Sequence, residues 1–176
     1  MGNGRPGGKG LNLSSTLQIK EATDHDVPLI LEFIKALAEY EKLLDKVEAS
    51  EDRIRKTIFG EEPRAKFVLA YQDDVAIGFA VFFYTYSTFL AQPGLYLEDI
   101  YVRREARGRG VGRALFRYLA AVAKENGCSR IDWAVLRWNE SAVGFYTKLG
   151  ALPVDDWTVY RLTGEALDRM AGNDQH

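Results

Sequence analysis

The sequence predicts a mixed α/β fold, a mostly antiparallel twisted sheet flanked by helices in a single domain. Three observations carry this. Segments of period two and of period 3.6 succeed one another along the chain. The strand-like runs 66–71, 75–86 and 95–102 follow each other across turn residues, which makes an antiparallel meander. The strand–helix–strand unit from 95 to 136 requires a parallel, right-handed crossover inside that sheet.

Each element has a local reason. Residues 17–22 alternate as a short strand. Thr23 or Asp24 can cap the helix that follows, where Val27, Ile30, Leu31, Ile34, Leu37 and Ala38 form one apolar stripe reaching about Tyr40. Ser50 caps a second helix with Ile54 and Ile58 on its buried face and Gly60 near its end. Asp73-Asp74 turns the first hairpin, and Gln92-Pro93-Gly94 is expected to turn the second. A polar loop over 103–109 leads to a helix over 111–126 whose Val111, Leu115, Leu119, Val122 and Ala123 share a face, ended by Gly127. A strand over 130–136, a short helix over 141–149 stopped by Gly150, a final strand over 157–162 and a helical tail over 165–170 complete the order. Residues 1–16, with five glycines in the first ten, are expected to be a flexible tail or an expression remnant. The domain is then 17–171, and 172–176 is an expected disordered C-terminus.

Composition narrows the function classes. Of the 176 residues 47% are hydrophobic and 27% charged, ordinary values for a globular chain. The formal net charge of −2 gives no support to a nucleic-acid binder. Cys128, a lone thiol, excludes an internal disulfide, so a reducing, cytoplasmic setting is expected, with the thiol inert in the core. His25 and His176 suggest neither a triad nor a metal site, and no metal is expected. The longest apolar run, near 75–83, is too short to span a bilayer, and the first residues lack a secretory apolar stretch, so no membrane partner is expected.

The near-neutral sum hides a cluster. Arg103, Arg104, Arg107, Arg109, Arg113 and Arg117 fall within fifteen residues, around Arg107-Gly108-Arg109-Gly110-Val111-Gly112. Glycines there let backbone approach a ligand, and the helix start offers unpaired N–H groups, so the segment is a phosphate site in physical terms. A P-loop is excluded for want of Gly-Lys-Ser/Thr, and the dinucleotide pattern fails at Arg113. A solvated arginine-rich turn is the competing reading.

Arg-x-x-Gly-x-Gly between a strand and a helix resembles the coenzyme A loop of the GNAT acetyltransferases. The run from Trp138 to Ala151, with Asn139, Phe145-Tyr146 and Gly150-Ala151, resembles that family's later motif, in the same order and at similar spacing. The likeness covers about 150 residues, including the predicted order of elements. Within the family, Tyr96-Leu97-Glu98-Asp99-Ile100-Tyr101-Val102 and the segment 83–89 resemble the spermidine/spermine branch, nearest to its thialysine acetyltransferase members. Arg137 departs from the acid those relatives place before the Trp.

The resemblance implies a GNAT-type sheet and acetyl-CoA as co-substrate. It implies a cofactor site at Ile100, Tyr101, Val102, Arg107, Gly108, Arg109, Gly110, Val111, Gly112, Arg113, Asn139 and Lys148. Loop N–H groups would hold the pyrophosphate, and the preceding strand would pair with the pantetheine arm. It points to Tyr40, Glu41, Ser87, Thr88, Asp99 and Trp157 for a small-molecule amine, and to a homodimer.

Chemistry assigns the reacting groups. A primary amine has a pKa of about 10.4, so it must lose a proton before attacking. Glu98, a carboxylate inside an apolar strand, is the candidate general base; a strand ion pair is the other reading of the residue alone, and the resemblance favours the base. Alternation puts Glu98 with Tyr96, Ile100 and Val102, and Asp99 on the opposite face. Tyr146, whose phenol stays protonated at neutral pH, is the general acid that the family motif implies. Asn139 also reads as a helix N-cap, and Lys148 as a solvated helix-end lysine. The main expectation is an N-acetyltransferase acting on a thialysine-like amino acid or short diamine by direct attack. A protein lysine or N-terminal acetyltransferase, and a non-catalytic acyl-CoA-binding module, are the alternatives.

Overall fold

A computed structural model describes residues 16–172. The tail expected over 1–16 lies outside the described residues apart from Thr16, as does the expected C-terminal segment apart from Gly172. The chain forms two compact units, one ending at Ala134 and the other starting at Val135.

The first unit is a five-stranded sheet in the order β1-β2-β3-β4-β5. Its elements are β1 (Leu17–Glu21), α1 (Val27–Tyr40), α2 (Glu51–Ile58), β2 (Lys66–Gln72), β3 (Val75–Ser87), β4 (Gln92–Val102), α3 (Val111–Glu125) and β5 (Ile131–Trp133). β1 to β4 are antiparallel neighbours and β5 joins β4 in parallel, as the crossover requires. The second unit carries α4 (Glu140–Lys148) and α5 (Glu165–Met170).

Local chemistry sets the ends. The Asp26 carboxylate accepts from the Thr23 N–H at 2.7 Å and from its hydroxyl at 2.9 Å, fixing the turn into α1. Ser50 Oγ accepts from the Arg53 N–H at 3.3 Å, the expected cap of α2. Asp73 and Asp74 both take positive φ, 50° and 63°, which suits a two-residue hairpin turn. Gly110, at φ 85°, starts α3.

Two apolar layers hold the sheet. On one face Val27, Ile30 and Phe33 of α1 and Ile54 of α2 pack on Phe67, Leu69, Phe79 and Val81. The Phe33 and Phe79 rings lie 5.5 Å apart, and Phe67 stacks on Phe79 at 5.6 Å. The other face buries Val68, Ala80, Phe82 and Leu97. There α3, which contacts β1, β3 and β4, contributes Val111, Leu115, Leu119 and Ala123. Cys128 is buried in this unit.

Four local expectations are corrected. No strand forms over 157–162 among the described residues; Trp157 is 75% exposed and Tyr160 91%. An alternating pattern makes a strand only where an edge pairs with it, and no ladder includes this segment. β5 is three residues long rather than seven. Pro93-Gly94 lies inside β4, opposite Tyr86 and Thr85, and the turn is displaced to 88–91, where Ala91 takes φ 50°. Last, Val81 pairs with Asp99 while Phe82 pairs with Leu97, so Glu98 is an extra residue in β4. This bulge reverses the alternation beyond it, which places Asp99 on the face of Tyr96 and Tyr101, and Ile100 with Leu97.

Thr85 Oγ1 is buried without a hydrogen-bond partner, facing Gly94 across the hairpin. Replacing it by valine keeps the shape and removes an unsatisfied hydroxyl. Thr85→Val is expected to raise unfolding stability by about 1 kcal/mol in urea titrations, whereas Phe79→Ala should lower it by about 3–5 kcal/mol.

Candidate active site

β4 is an interior strand at one end and an open edge at the other. β5 pairs only with Leu95 to Leu97. From Glu98 to Val102 no strand covers the outer side of β4 among the described residues. The Arg103 N–H donates to the Ile77 carbonyl at 2.8 Å, so the alternating ladder turns Tyr101 toward β3 and the backbone of Ile100 and Val102 outward. A Cβ on Gly78 would meet the Tyr101 carbonyl oxygen at 2.6 Å, which agrees with that orientation.

The glycine loop follows directly. Gly108 and Gly110 have φ of 76° and 85°, and an added Cβ on either would meet nothing within 4 Å. Glycine is therefore needed for backbone conformation, and the space beside it is open. The first N–H groups of α3, from Val111, Gly112 and Arg113, have no carbonyl four residues earlier inside the helix to bond. An open strand edge leading into such a loop fits an extended, amide-bearing ligand that ends in phosphates.

The arginines divide. Arg104, Arg109, Arg113 and Arg117 are exposed. Arg103 instead pairs with Glu32, donates from Nε to the Ala76 carbonyl at 3.1 Å, and lies 4.8 Å from the Phe33 ring centre. Arg107 sits 4.6 Å from the Tyr40 ring centre and 5.7 Å from that of Tyr101, and its Nε donates to the Val102 carbonyl at 2.9 Å. Arg107 is itself exposed, so five of the six arginines face solvent, and Arg103 and Arg107 are distinguished by these partners within the fold.

Three carboxylates gather near the bulge. Glu98 is exposed, while Asp99 and Glu41 are half-buried. Burial first, then the charges of Glu98 and Glu41, push the Asp99 carboxyl up to about 6. Burial also pushes Glu41 up. Tyr40 ends α1 and Glu41 is its C-cap, its N–H bonded to the Leu37 carbonyl at 2.9 Å. The first unit therefore brings together Tyr40, Glu41, Glu98 and Asp99.

It does not bring Ser87 and Thr88 there. Ser87 is six residues along β3 from Val81, the partner of Asp99, which is about 20 Å of strand. Ser87 is buried, and its Oγ accepts from the Leu90 N–H at 3.3 Å inside the hairpin turn. In the second unit Asn139 Oδ1 accepts from the Ala142 N–H at 3.2 Å and caps α4. Tyr146 is half-buried on α4, its ring 5.5 Å from that of Phe145, and Lys148 is exposed in the last turn. Trp157 is exposed. The features missed from the sequence are the bulge and the packing of Arg103 and Arg107 on the rings of Phe33 and Tyr40. The apolar spacing of Leu95, Leu97, Ile100 and Val102, which slips by one after Leu97, signals the first; no sequence pattern signals the second.

Comparison with known proteins agrees with this geometry. Residues 31–151 match the acetyltransferase (GNAT) family. The chain belongs to that family and is an acetyl-CoA-dependent N-acetyltransferase. It is 38% identical over 169 residues to a thialysine N-epsilon-acetyltransferase of Sus scrofa, covering 90% of this chain and 99% of that protein. It is 30% identical to an L-ornithine N5-acetyltransferase of Arabidopsis thaliana, covering 87% of each. An integron cassette protein from the mobile metagenome of V. cholerae superposes with a TM-score of 0.74 at 29% identity, over 88% of this chain and 97% of that one. No described helix is long and apolar enough to cross a membrane.

The raised Asp99 has a consequence for stability. The folded state holds this proton more tightly than the unfolded chain, whose aspartates titrate near about 4. Between about pH 4 and about pH 6 the unfolded chain is the first to ionise here, so this group's contribution falls as pH rises through that window. Asp99→Asn should flatten that part of the urea stability–pH curve and leave the variant more stable than the parent at pH 7.5. A variant less stable at that pH would show that the carboxylate is well solvated or paired.

Proposed function

We propose that the chain moves the acetyl group of acetyl-CoA to the primary amine of a small molecule, a thialysine-like amino acid or a short diamine. The carrying observation is the trio Glu41, Glu98 and Asp99 beside the open edge of β4 and next to the glycine loop. Relatives named for thialysine and ornithine acetylation support an acceptor with a primary amine on a short chain.

Acetyl-CoA supplies the acetyl group as a thioester. The outward backbone groups of Ile100 and the Val102 N–H pair with amides of an extended arm, while Arg107 holds the Val102 carbonyl and Tyr101 braces the strand from behind. The N–H groups from Gly108 to Gly112 and the start of α3 face phosphate, with Arg109, Arg113 and Lys148 adding charge. Glu98 takes the amine proton, directly or through water, so that the nitrogen lone pair is available for attack. Tyr146 gives the proton of its Oη to the leaving sulfur as the carbon–sulfur bond breaks. Tyr40, Glu41 and Asp99 receive the acceptor's remaining cationic group, and Trp157 and Asn139 complete the site in this reading.

One observation favours a second reading of the base. Asp99, at about 6, is poised nearer to working pH than an ordinary carboxylate. If Glu98 is the base, Glu98→Gln lowers kcat by about 10²–10⁴-fold and Asp99→Asn acts mainly on amine KM. If Asp99 is the base, its variant carries the larger kcat loss and removes the limb near pH 6 from the kcat/KM profile.

The whole proposal is tested by CoA release over thialysine, ornithine, lysine, spermidine, putrescine and a histone-like peptide. Turnover confined to the peptide would replace it with protein acetylation. Glu98→Gln together with Tyr146→Phe variants as fast as the parent would reject the mechanism. A cytoplasmic homodimer belongs to the same reading. Its support is the run of exposed apolar side chains at Leu152, Val154, Trp157, Val159 and Tyr160, and sedimentation velocity at micromolar concentration tests it.

A further inference from the structure

Arginine and aromatic side chains interleave along one line of the first unit. Phe33 and Tyr40 are seven residues apart, two turns of α1, and so share a face. Arg103 and Arg107 are four apart where the chain leaves β4. Arg103 lies over Phe33 at 4.8 Å and Arg107 over Tyr40 at 4.6 Å, both within cation–π range. The two pairs differ in what else holds them. Arg103 also has Glu32 and the Ala76 carbonyl, deep in the α1 contact. Arg107 is exposed, and besides its rings it has the Val102 carbonyl, which belongs to the open edge. It therefore bridges two places with separate duties: the edge and loop that suit the cofactor, and the last residue of α1, next to Glu41.

We propose that Arg107 is a positioning residue for the acceptor amine, acting through Tyr40 to fix the end of α1 and hence the Glu41 carboxylate. The chain leaves α1 through Lys42 at φ 61°, and the backbone closes the helix there, the Lys42 N–H bonding the Glu39 carbonyl at 3.1 Å and the Leu43 N–H the Ala38 carbonyl at 2.8 Å. A cation held against the final ring adds a side-chain contact to this closed end and orients Tyr40 beside Glu41. Glu41 then stays close enough to Asp99 for the two carboxylates to feel each other. The same guanidinium holds the Val102 carbonyl, so the acceptor end is tied to the strand edge that leads into the glycine loop. Arg107 is thereby set apart from Arg109 and Arg113, whose side chains face solvent.

This role rests on the small-amine reading above, and a double-mutant cycle tests it. Amine kcat and KM are measured at saturating acetyl-CoA, with thialysine or ornithine, for Arg107→Gln in three backgrounds: parent, Tyr40→Phe and Tyr40→Leu. Phenylalanine keeps the ring that the cation needs and leucine does not. Arg107→Gln is expected to raise amine KM about 5-fold in the parent and in Tyr40→Phe, and by less than about 2-fold in Tyr40→Leu. Urea melts of the same set show whether each variant is folded. An equal rise in all three backgrounds overturns the proposal, as does coupling seen in the melts but absent from amine KM, which would leave the contact merely structural. Failure of the parent chain to acetylate any small amine defeats the acceptor reading and this role with it. That failure is distinguishable, because it appears before any substitution is made.

Discussion

Between Leu97, opposite Phe82, and Asp99, opposite Val81, β4 carries one residue more than β3, and that residue is Glu98. The site depends on this bulge. It falls where pairing with β5 stops, so the strand bends away from its neighbour as the local twist increases. The outer groups of Ile100 face no strand among the described residues, and the Val102 carbonyl is held by Arg107. The same insertion moves Asp99 onto the α1 face, among Tyr96 and Tyr101, within electrostatic reach of Glu41 at the helix end. A regular strand would have separated these roles onto opposite faces. One irregularity thus creates an open edge and assembles an acidic cluster beside it.

Much of this was legible from side-chain pattern, because most elements are specified locally. The stripe from Val27 to Ala38, the cap at Ser50 and the face of Val111, Leu115, Leu119 and Ala123 each depend on their own helix. The glycine loop was legible for the same reason, since Gly108 and Gly110 are required by the backbone they occupy. The errors lie where the outcome is set by a partner elsewhere. Residues 157–162 have the alternation of a strand but no edge in any described ladder. Pro93-Gly94 looks like a turn, yet the pairing of Tyr86 with Pro93 and of Ser87 with Gln92 pushes the turn onto Thr88 to Ala91. Arg107 looks like its neighbours in a basic run, and only Tyr40, sixty-seven positions earlier, distinguishes it.

The near-zero net charge of −2 results from an ordered separation. Arg103 and Arg107 lie over rings of α1 at the end of β4, and Arg109 and Arg113 lie exposed at the start of α3. A basic loop and an acidic bulge at adjoining positions of one strand suit two substrates of opposite charge, one polyphosphate and one ammonium. Neither patch is large enough to give the chain a strongly charged surface overall, so attraction stays local to the two ends of the reacting pair.

The acidic cluster is also informative for what it lacks. Glu32, Asp24 and Asp132 each meet an arginine, whereas no salt bridge among the described residues includes Glu41, Glu98 or Asp99. Burial first, and then the charges of Glu98 and Glu41, push the Asp99 carboxyl up. A fold bearing such a cluster is less stable than one with a paired or neutral site. An ammonium-bearing acceptor supplies the missing counter-charge, so its binding relieves a strain already present in the free protein. The cationic acceptor proposed above is the one these electrostatics favour. As the acceptor nitrogen loses its proton for attack, the adjacent carboxylates are the groups best placed to accept it. In the proposed reaction the charges that draw the substrate in are also the ones that prepare it to react.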